Sequence, residues 1–234
     1  METKDIGQQV KKMYDEIGAH FSRSRKKKYG KESFNWPIVD HYLELLPPKS
    51  SVLDVGCGSG RLVSGLAKNV EYYGFDFSRV LIEQAKKDYP TRKFAVLDAT
   101  DHKVWRGLGK YDAVFSIAML HHIPTRAEQL AILKNARKHT KKNGVLVLTT
   151  WNLWQIRYLT NHIHSLALKR ENFRFIEVPY NREWKRFCVA IDKPYLMNLL
   201  IEAGWKVSEL RYVDREGKKS DMLRGQNLLA VARA

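Results

Sequence analysis

The stretch Val52-Leu53-Asp54-Val55-Gly56-Cys57-Gly58-Ser59-Gly60-Arg61-Leu62 constrains this chain more than any other. It reads as a short buried strand, then a loop with glycine at every second position, then a helix start. Glycine has no Cβ and tolerates φ > 0, so a ligand can approach the backbone of such a turn closely. N–H groups at a helix start favour a negative or polar ligand group. A dinucleotide fingerprint would read Gly-x-Gly-x-x-Gly, with the third glycine packing helix on strand. Here the spacing is Asp54-x-Gly56-x-Gly58-x-Gly60, with an acid two residues before the first glycine. A carboxylate disfavours a neighbouring pyrophosphate and favours a cation. The loop therefore reads as the cradle of a ligand with a cationic part.

From residue 51 strand and helix patterns alternate. Strands are predicted at 51–55, 70–75 (ending at Asp76), 93–97 (ending at Asp98), 111–117 and 145–150. Helices are predicted at 60–68, 78–88 and 124–140, the second stopped by Pro90 and the third closed by Asn143-Gly144. The run 111–117 is apolar enough for burial on both faces. This βαβ rhythm predicts an α/β, Rossmann-like doubly wound sheet, mostly parallel and seven-stranded, with an antiparallel last strand. Residues 6–22 place apolar side chains at three- and four-residue steps and predict a helix ahead of the core, a candidate cover for the ligand. A second helix is predicted at 37–46, with Pro37 in its first turn. After the fifth strand come an amphipathic helix at 152–169, strands at 173–178 and 183–191, and a helix at 193–203 with Gly204 at C′. Strands at 205–213 and 226–232 form a final antiparallel pair separated by the charged loop 214–224. One domain is expected, with a helical cap at 1–48, a ligand-binding core at 49–150, an insertion at 151–192 and a closing helix and hairpin at 193–234.

The net charge of +16 predicts salt-sensitive attraction to polyanions such as nucleic acid. The run Arg23-Ser24-Arg25-Lys26-Lys27-Lys28-Tyr29 is a candidate contact to a phosphate backbone, weighed evenly against a solvated loop. Two cysteines, Cys57 and Cys188, give neither a disulfide framework nor zinc-ligand spacing, so no metal is expected. The N-terminus is polar and no run is long enough to span a bilayer, so a cytoplasmic, reduced location is expected.

The glycine loop resembles the first motif of class I S-adenosylmethionine-dependent methyltransferases. Their cofactor carries a sulfonium and an ammonium, which suit Asp54. The resemblance implies that Asp54, Gly56, Gly58 and Gly60 hold the amino-acid end of the cofactor. Ligands of open α/β sheets sit outside the carboxyl ends of the strands. Asp76 is there to accept from both ribose hydroxyls, with Ser78 left to cap the helix. Asp98, with Ala99, accepts either from the adenine amino group or from its own turn. Ser116 and Leu120 fall at the end of the fourth strand and are also assigned to the cofactor. Asp112 starts that strand, at the far end, and reads as structural.

The segment Ser116-Ile117-Ala118-Met119-Leu120-His121-His122-Ile123-Pro124-Thr125-Arg126 sharpens the resemblance. It is similar to a loop of the tRNA methyltransferases that esterify a carboxymethyl group on wobble uridine, the yeast type and the methyltransferase domain of the human AlkB-like fusion. Tyr14-Asp15-Glu16-Ile17-Gly18-Ala19-His20-Phe21, Trp36-Pro37, Trp151, Lys185-Arg186-Phe187 and Asn227 match further segments of that family. Cys188-Val189 departs from it, replacing a Tyr-His pair. A carboxylate acceptor is ionised at neutral pH and needs no strong general base. It needs donors to orient it, and Arg186, His121, His122, Arg25 and Arg61 are the candidates. His121, His122 and Arg186 are assigned to the reaction; Arg25, Lys26, Lys27, Lys28, Trp36, Trp151 and Arg186 to the substrate. Two rival readings share the fold: a methyltransferase for a quinone or small carboxylic acid, and an RNA-binding subunit without activity. The family's eukaryotic members use a small zinc-binding protein partner, which the resemblance makes an expectation here.

Overall fold

The computed structural model describes residues 7–16, 18, 37–167, 174–181 and 184–234. A helix over residues 7–16 (α1) is followed by α2 (Pro37–Glu44) and β1 (Ser51–Val55). The core continues with β2 (Glu71–Asp76), α3 (Arg79–Asp88), β3 (Lys93–Val96), β4 (Tyr111–Ile117), α4 (Arg126–Lys138) and β5 (Thr140–Trp151). Then come α5 (Leu159–Ala167), β6 (Phe175–Pro179), β7 (Lys185–Val189), α6 (Lys193–Glu202), β8 (Lys206–Val213), β9 (Lys219–Ser220) and β10 (Asn227–Arg233).

Eight strands form one sheet in the order β3-β2-β1-β4-β5-β10-β8-β9, and β6 pairs with β7 as a separate hairpin. The pairs β3–β2, β2–β1, β1–β4 and β4–β5 are parallel. β10 runs antiparallel to both β5 and β8. Chain order reverses between β1 and β4, so the crevice where ligands bind such sheets opens at the carboxyl ends of β1, β2 and β4. Every residue of β1 is buried. The alternation of strand side chains divides the interior. Leu53, Val55, Phe75, Val114 and Leu146 pack on one face with Ile132 and Leu133 of α4 and Leu196 and Leu199 of α6. Val52, Phe115 and Val147 pack on the other with Ile38 and Val39 of α2 and Ile82 and Ala85 of α3. Burying each large side chain of this kind stabilises the fold by about 1.5–3 kcal/mol.

Caps set the helix starts. Ser78 accepts from the Leu81 N–H at the start of α3. Thr125 accepts from the Glu128 N–H at 3.1 Å and donates to the Glu128 carboxylate at 2.6 Å, a capping box opening α4. Asp192 accepts from Tyr195 N–H at 2.9 Å to open α6, and Gly204 with φ 85° closes it at C′ as expected.

Several expectations need correction. The sheet has eight strands rather than seven, because Lys219–Ser220, inside the predicted loop 214–224, adds an edge strand to β8. The helix expected at 60–68 is only a 3-10 turn, Arg61–Gly65, since Gly60 is left-handed and Leu66 turns extended. The helix expected to reach 140 ends at Lys138. Thr140 already pairs with Tyr111 across a bulge, so Asn143-Gly144 lies within the span of β5 instead of closing a helix. The helix expected at 152–169 starts only at Leu159. Asn152 uses its side chain to accept from Trp154 N–H and to donate to the Met222 and Gly225 carbonyls, which pins 152–155 as a turn. No helix among the described residues is long and apolar enough to cross a membrane.

Candidate active site

The glycine loop leaves β1 and folds back under β2. Gly56 and Cys57 N–H both donate to the Phe75 carbonyl, at 2.9 and 3.0 Å. Gly56, Gly58 and Gly60 all have positive φ, 75°, 54° and 77°. A Cβ on Gly56 would lie 2.3 Å from Met119 Cγ, so the loop and the end of β4 meet where no side chain fits. Gly56→Ala is therefore expected to lower folding stability by about 2 kcal/mol or more, from left-handed strain plus overpacking. Thermal unfolding with and without S-adenosylmethionine reads this as a lower Tm and a smaller cofactor-induced rise.

Asp54 and Asp76 end neighbouring strands and are both buried. Asp54 accepts from Tyr72 O–H at 2.9 Å. Asp76 accepts from Gly58 N–H at 3.0 Å with one oxygen and from Ser78 N–H at 2.9 Å with the other. Ser78 takes the cap, as expected, while Asp76 also ties the glycine loop to β2. Burial pushes the Asp54 carboxyl up to about 7, against the lowering effect of the Tyr72 hydrogen bond. Burial likewise pushes Asp76 up to about 6, against its two backbone hydrogen bonds. A carboxylate raised in the fold destabilises the ligand-free protein as pH climbs from its unfolded value toward the folded one. A bound cation needs Asp54 ionised, so the sign for cofactor affinity is opposite. Affinity should fall as pH drops through about 7, by up to about tenfold per unit, and more steeply below about 6 where Asp76 joins. Calorimetric titration with S-adenosylmethionine between pH 5.5 and 7.5 measures this; a flat profile would remove Asp54 from the cationic end.

Asp98 is engaged within the protein. One oxygen accepts from Thr100 N–H at 3.0 Å and Thr100 O–H at 2.7 Å, and the other pairs with Lys11 of α1. The turn role is thus filled, and these partners hold its carboxyl below the usual range despite burial. The Ala99 carbonyl accepts from Trp105 Nε1 at 3.0 Å. Leu120 is wholly buried in the core, so only its backbone is available to a ligand. Ser116 Oγ is buried with no partner among the described residues. Asp112 accepts from Ser51 N–H, Ser51 O–H and Lys141, in the structural role expected of it.

The two histidines lie in a 3-10 turn, Leu120–His122, just past Ala118, whose φ of 55° turns the chain sharply out of β4. His121 is fully buried, its ring centroid 4.2 Å from that of His122 and 4.7 Å from that of Trp151, tilted against both. Its Nδ1 accepts from Trp151 N–H at 3.4 Å, which places the proton on Nε2, an atom with no partner among the described residues. Burial, reinforced by His122 and Arg186, holds its pKa well below the ordinary value, so the ring is neutral. His122 Nε2 meets the Tyr14 hydroxyl at 2.9 Å, and its Nδ1 lies 3.5 Å from the Phe187 carbonyl. Arg186, on β7, lays its guanidinium over Trp151 at 4.4 Å and faces Tyr180 at 5.4 Å. Its Nε is buried without a partner among the described residues. Two donors, His121 Nε2 and Arg186 Nε, thus lie beside Trp151. Both atoms are buried.

The structure brings Asp54, the three glycines and Asp76 to one strand end, and His121, His122, Trp151 and Arg186 to the next. Arg25, Lys26, Lys27, Lys28 and Trp36 lie outside the described residues. Arg61 lies in the 3-10 turn after the glycine loop. Sequence reasoning gave no site role to Lys11 or Tyr14, the latter read as part of an apolar helix face and a family-like segment, although α1 reaches His122, Ser78 (through Asp15, 3.1 Å) and Asp98 together. It also missed that Cys188 Sγ stands 3.6 Å from His122 Nδ1.

A backbone cradle beside two buried carboxylates suits a ligand with a cationic end and a ribose. On a doubly wound sheet with one inserted antiparallel strand, that combination defines the class I S-adenosylmethionine-dependent methyltransferases, and S-adenosylmethionine is the cofactor of such a site. The family described as "Methyltransferase domain" matches residues 29–210, and the chain belongs to that family. A curated relative, "tRNA (carboxymethyluridine(34)-5-O)-methyltransferase" of Saccharomyces cerevisiae, is 32% identical over 148 residues, which are 62% of this chain and 49% of that protein. The chain spans half or less of the length of such a relative. A solved S-adenosylmethionine-dependent methyltransferase from Clostridium acetobutylicum shares the fold at TM-score 0.67 and 12% identity, covering 92% of this chain and 98% of that one. A Haloferax volcanii structure, titled as a complex between the Trm112 methyltransferase activator and the putative methyltransferase, gives TM-score 0.63 at 16% identity, covering 94% and 97%.

Proposed function

We propose that this protein methylates a carboxylate, that of a carboxymethyl-type modified wobble uridine in tRNA. The observation that carries the reading is the pair of buried donors without partners among the described residues, His121 Nε2 and Arg186 Nε, both beside Trp151. A carboxylate oxygen accepts from each of them, and the Arg186 bond is charge-assisted. The Trp151 face and the Arg186 plane suit stacking with a base turned out of its strand. The net charge of +16 and the name of the yeast relative support tRNA as its carrier.

S-adenosylmethionine, when bound, supplies a methyl group on a sulfonium. The acceptor oxygen forms the new C–O bond as the C–S bond breaks, and the electron pair leaves with sulfur. The carboxylate's charge and the sulfonium's charge cancel, and no proton has to move. Asp54 faces the cationic end of the cofactor and Asp76 its ribose hydroxyls. His121, neutral and held by Trp151, orients the acceptor without removing a proton. Transfer then depends on holding the reacting atoms about 3–3.5 Å apart and in line.

The activator named with the Haloferax neighbour supports assaying the chain with and without a small protein partner. The two free cysteines, Cys57 and Cys188, and a tRNA substrate fit a cytoplasmic setting. Labelled methyl transfer to total tRNA, set against a small-metabolite extract, tests the reading. The expected product is tRNA label that mild alkali releases, as it does from an ester. Label confined to metabolites would instead support the small-molecule reading.

A further inference from the structure

Residues far apart in sequence converge beside Trp151 in a way the proposed transfer does not use. His121, His122 and Cys188 are all buried, and one ligand atom from each lies within 4.8 Å of the others. Cys188 Sγ is 3.6 Å from His122 Nδ1. A tetrahedral zinc ion, with Zn–S about 2.3 Å and Zn–N about 2.0–2.1 Å, sets sulfur and nitrogen about 3.6 Å apart. The far nitrogen of His122 lies 2.9 Å from the Tyr14 hydroxyl oxygen, which can accept from Nε2–H as the outer-shell contact that fixes a ring ligating through Nδ1. His121 adds a ring whose Nε2 has no partner among the described residues.

We propose that His121, His122 and Cys188 form a site for one zinc-class divalent ion, and that the ion silences methyl transfer. Three protein ligands leave a fourth position open, as in accessible zinc sites. Binding expels the thiol proton of Cys188 to solvent, and both imidazoles ligate in their neutral form. His121 moves its proton from Nε2 to Nδ1 and gives up the 3.4 Å contact from Trp151 N–H. His122 carries its proton on Nε2, facing the Tyr14 oxygen, and gives up the 3.5 Å contact of Nδ1 with the Phe187 carbonyl. A bare ion needs less room than a nucleotide to reach these buried side chains. Once there it removes His121 Nε2 as a donor, and a carboxylate bound at the open position has its lone pair drawn to the metal and away from the methyl group. The reservation of Cys188 for this role arises from the departure at Cys188-Val189.

The silencing half rests on the carboxylate reading above; the binding half does not. Reduced, cofactor-free protein is titrated with Co²⁺ and the near-ultraviolet thiolate-to-cobalt absorption recorded. One equivalent is expected to raise the band, Zn²⁺ to abolish it, Cys57→Ser to keep it and Cys188→Ser to lose it. No band at one equivalent, or the same band in Cys188→Ser, overturns the site. Transfer rates are then compared in buffered Zn²⁺ and in chelator, each variant against its own chelator rate. Zinc is expected to suppress the unmodified protein, with Cys188→Ser needing at least about tenfold more. A band without suppression overturns the silencing role while leaving the acceptor assignment intact.

Discussion

Arg186→Ala is expected to lower kcat/KM for the carboxylate acceptor by about 2–5 kcal/mol, roughly 30-fold to a few thousandfold. Arg186 stands over Trp151 at 4.4 Å with a buried Nε, so its loss removes a charge-assisted donor and the plate that orients the acceptor. Arg186→Lys keeps the charge but not the planar fork, and should recover only part of the loss. S-adenosylmethionine affinity should stay within about twofold in both variants, because Arg186 lies on β7, away from the glycine loop. Steady-state kinetics with separate cofactor titrations resolve this. A variant that loses cofactor and acceptor binding equally would mean that Arg186 supports the fold rather than the acceptor.

Asp76→Ala is the second large effect. It strands the Gly58 and Ser78 N–H groups and takes away the acceptor proposed for the ribose hydroxyls. Leaving buried polar partners unmatched costs about 1–3 kcal/mol, so S-adenosylmethionine should bind roughly 5- to 150-fold more weakly. Asp76→Asn keeps the shape and one acceptor and should fall between. An unchanged affinity by calorimetry would withdraw the ribose assignment.

The sheet was legible because its strands repeat with helices between them and because glycine at 56, 58 and 60 has few uses outside a close approach. The spans of β1, β2 and β4 followed from those signals, as did the place of Asp54 and Asp76, whereas the register between these strands comes from the structure alone. Local side-chain bonds hid the rest. The amphipathic pattern over 152–169 looked helical from its start, but Asn152 competes for the backbone and delays α5 to Leu159. Tyr14 read as one apolar position of a helix, while its hydroxyl sits on His122 across 108 residues of chain. Cys188 read only as a departure from the family's Tyr-His pair, without metal-ligand spacing, and only the β6–β7 hairpin carries it and Arg186 to the histidine turn. Long-range convergence of that kind leaves no periodicity to read.

The most direct test of the central claim is nucleoside mass spectrometry of tRNA incubated with the protein and S-adenosylmethionine carrying a deuterated methyl group. Two tRNA preparations are needed, one with carboxymethyluridine at the wobble position and one unmodified there. The predicted result is one labelled methyl on the wobble nucleoside of the first, removed by mild alkali, and none on the second. Label at any other nucleoside, or equal label on both tRNAs, would contradict the account.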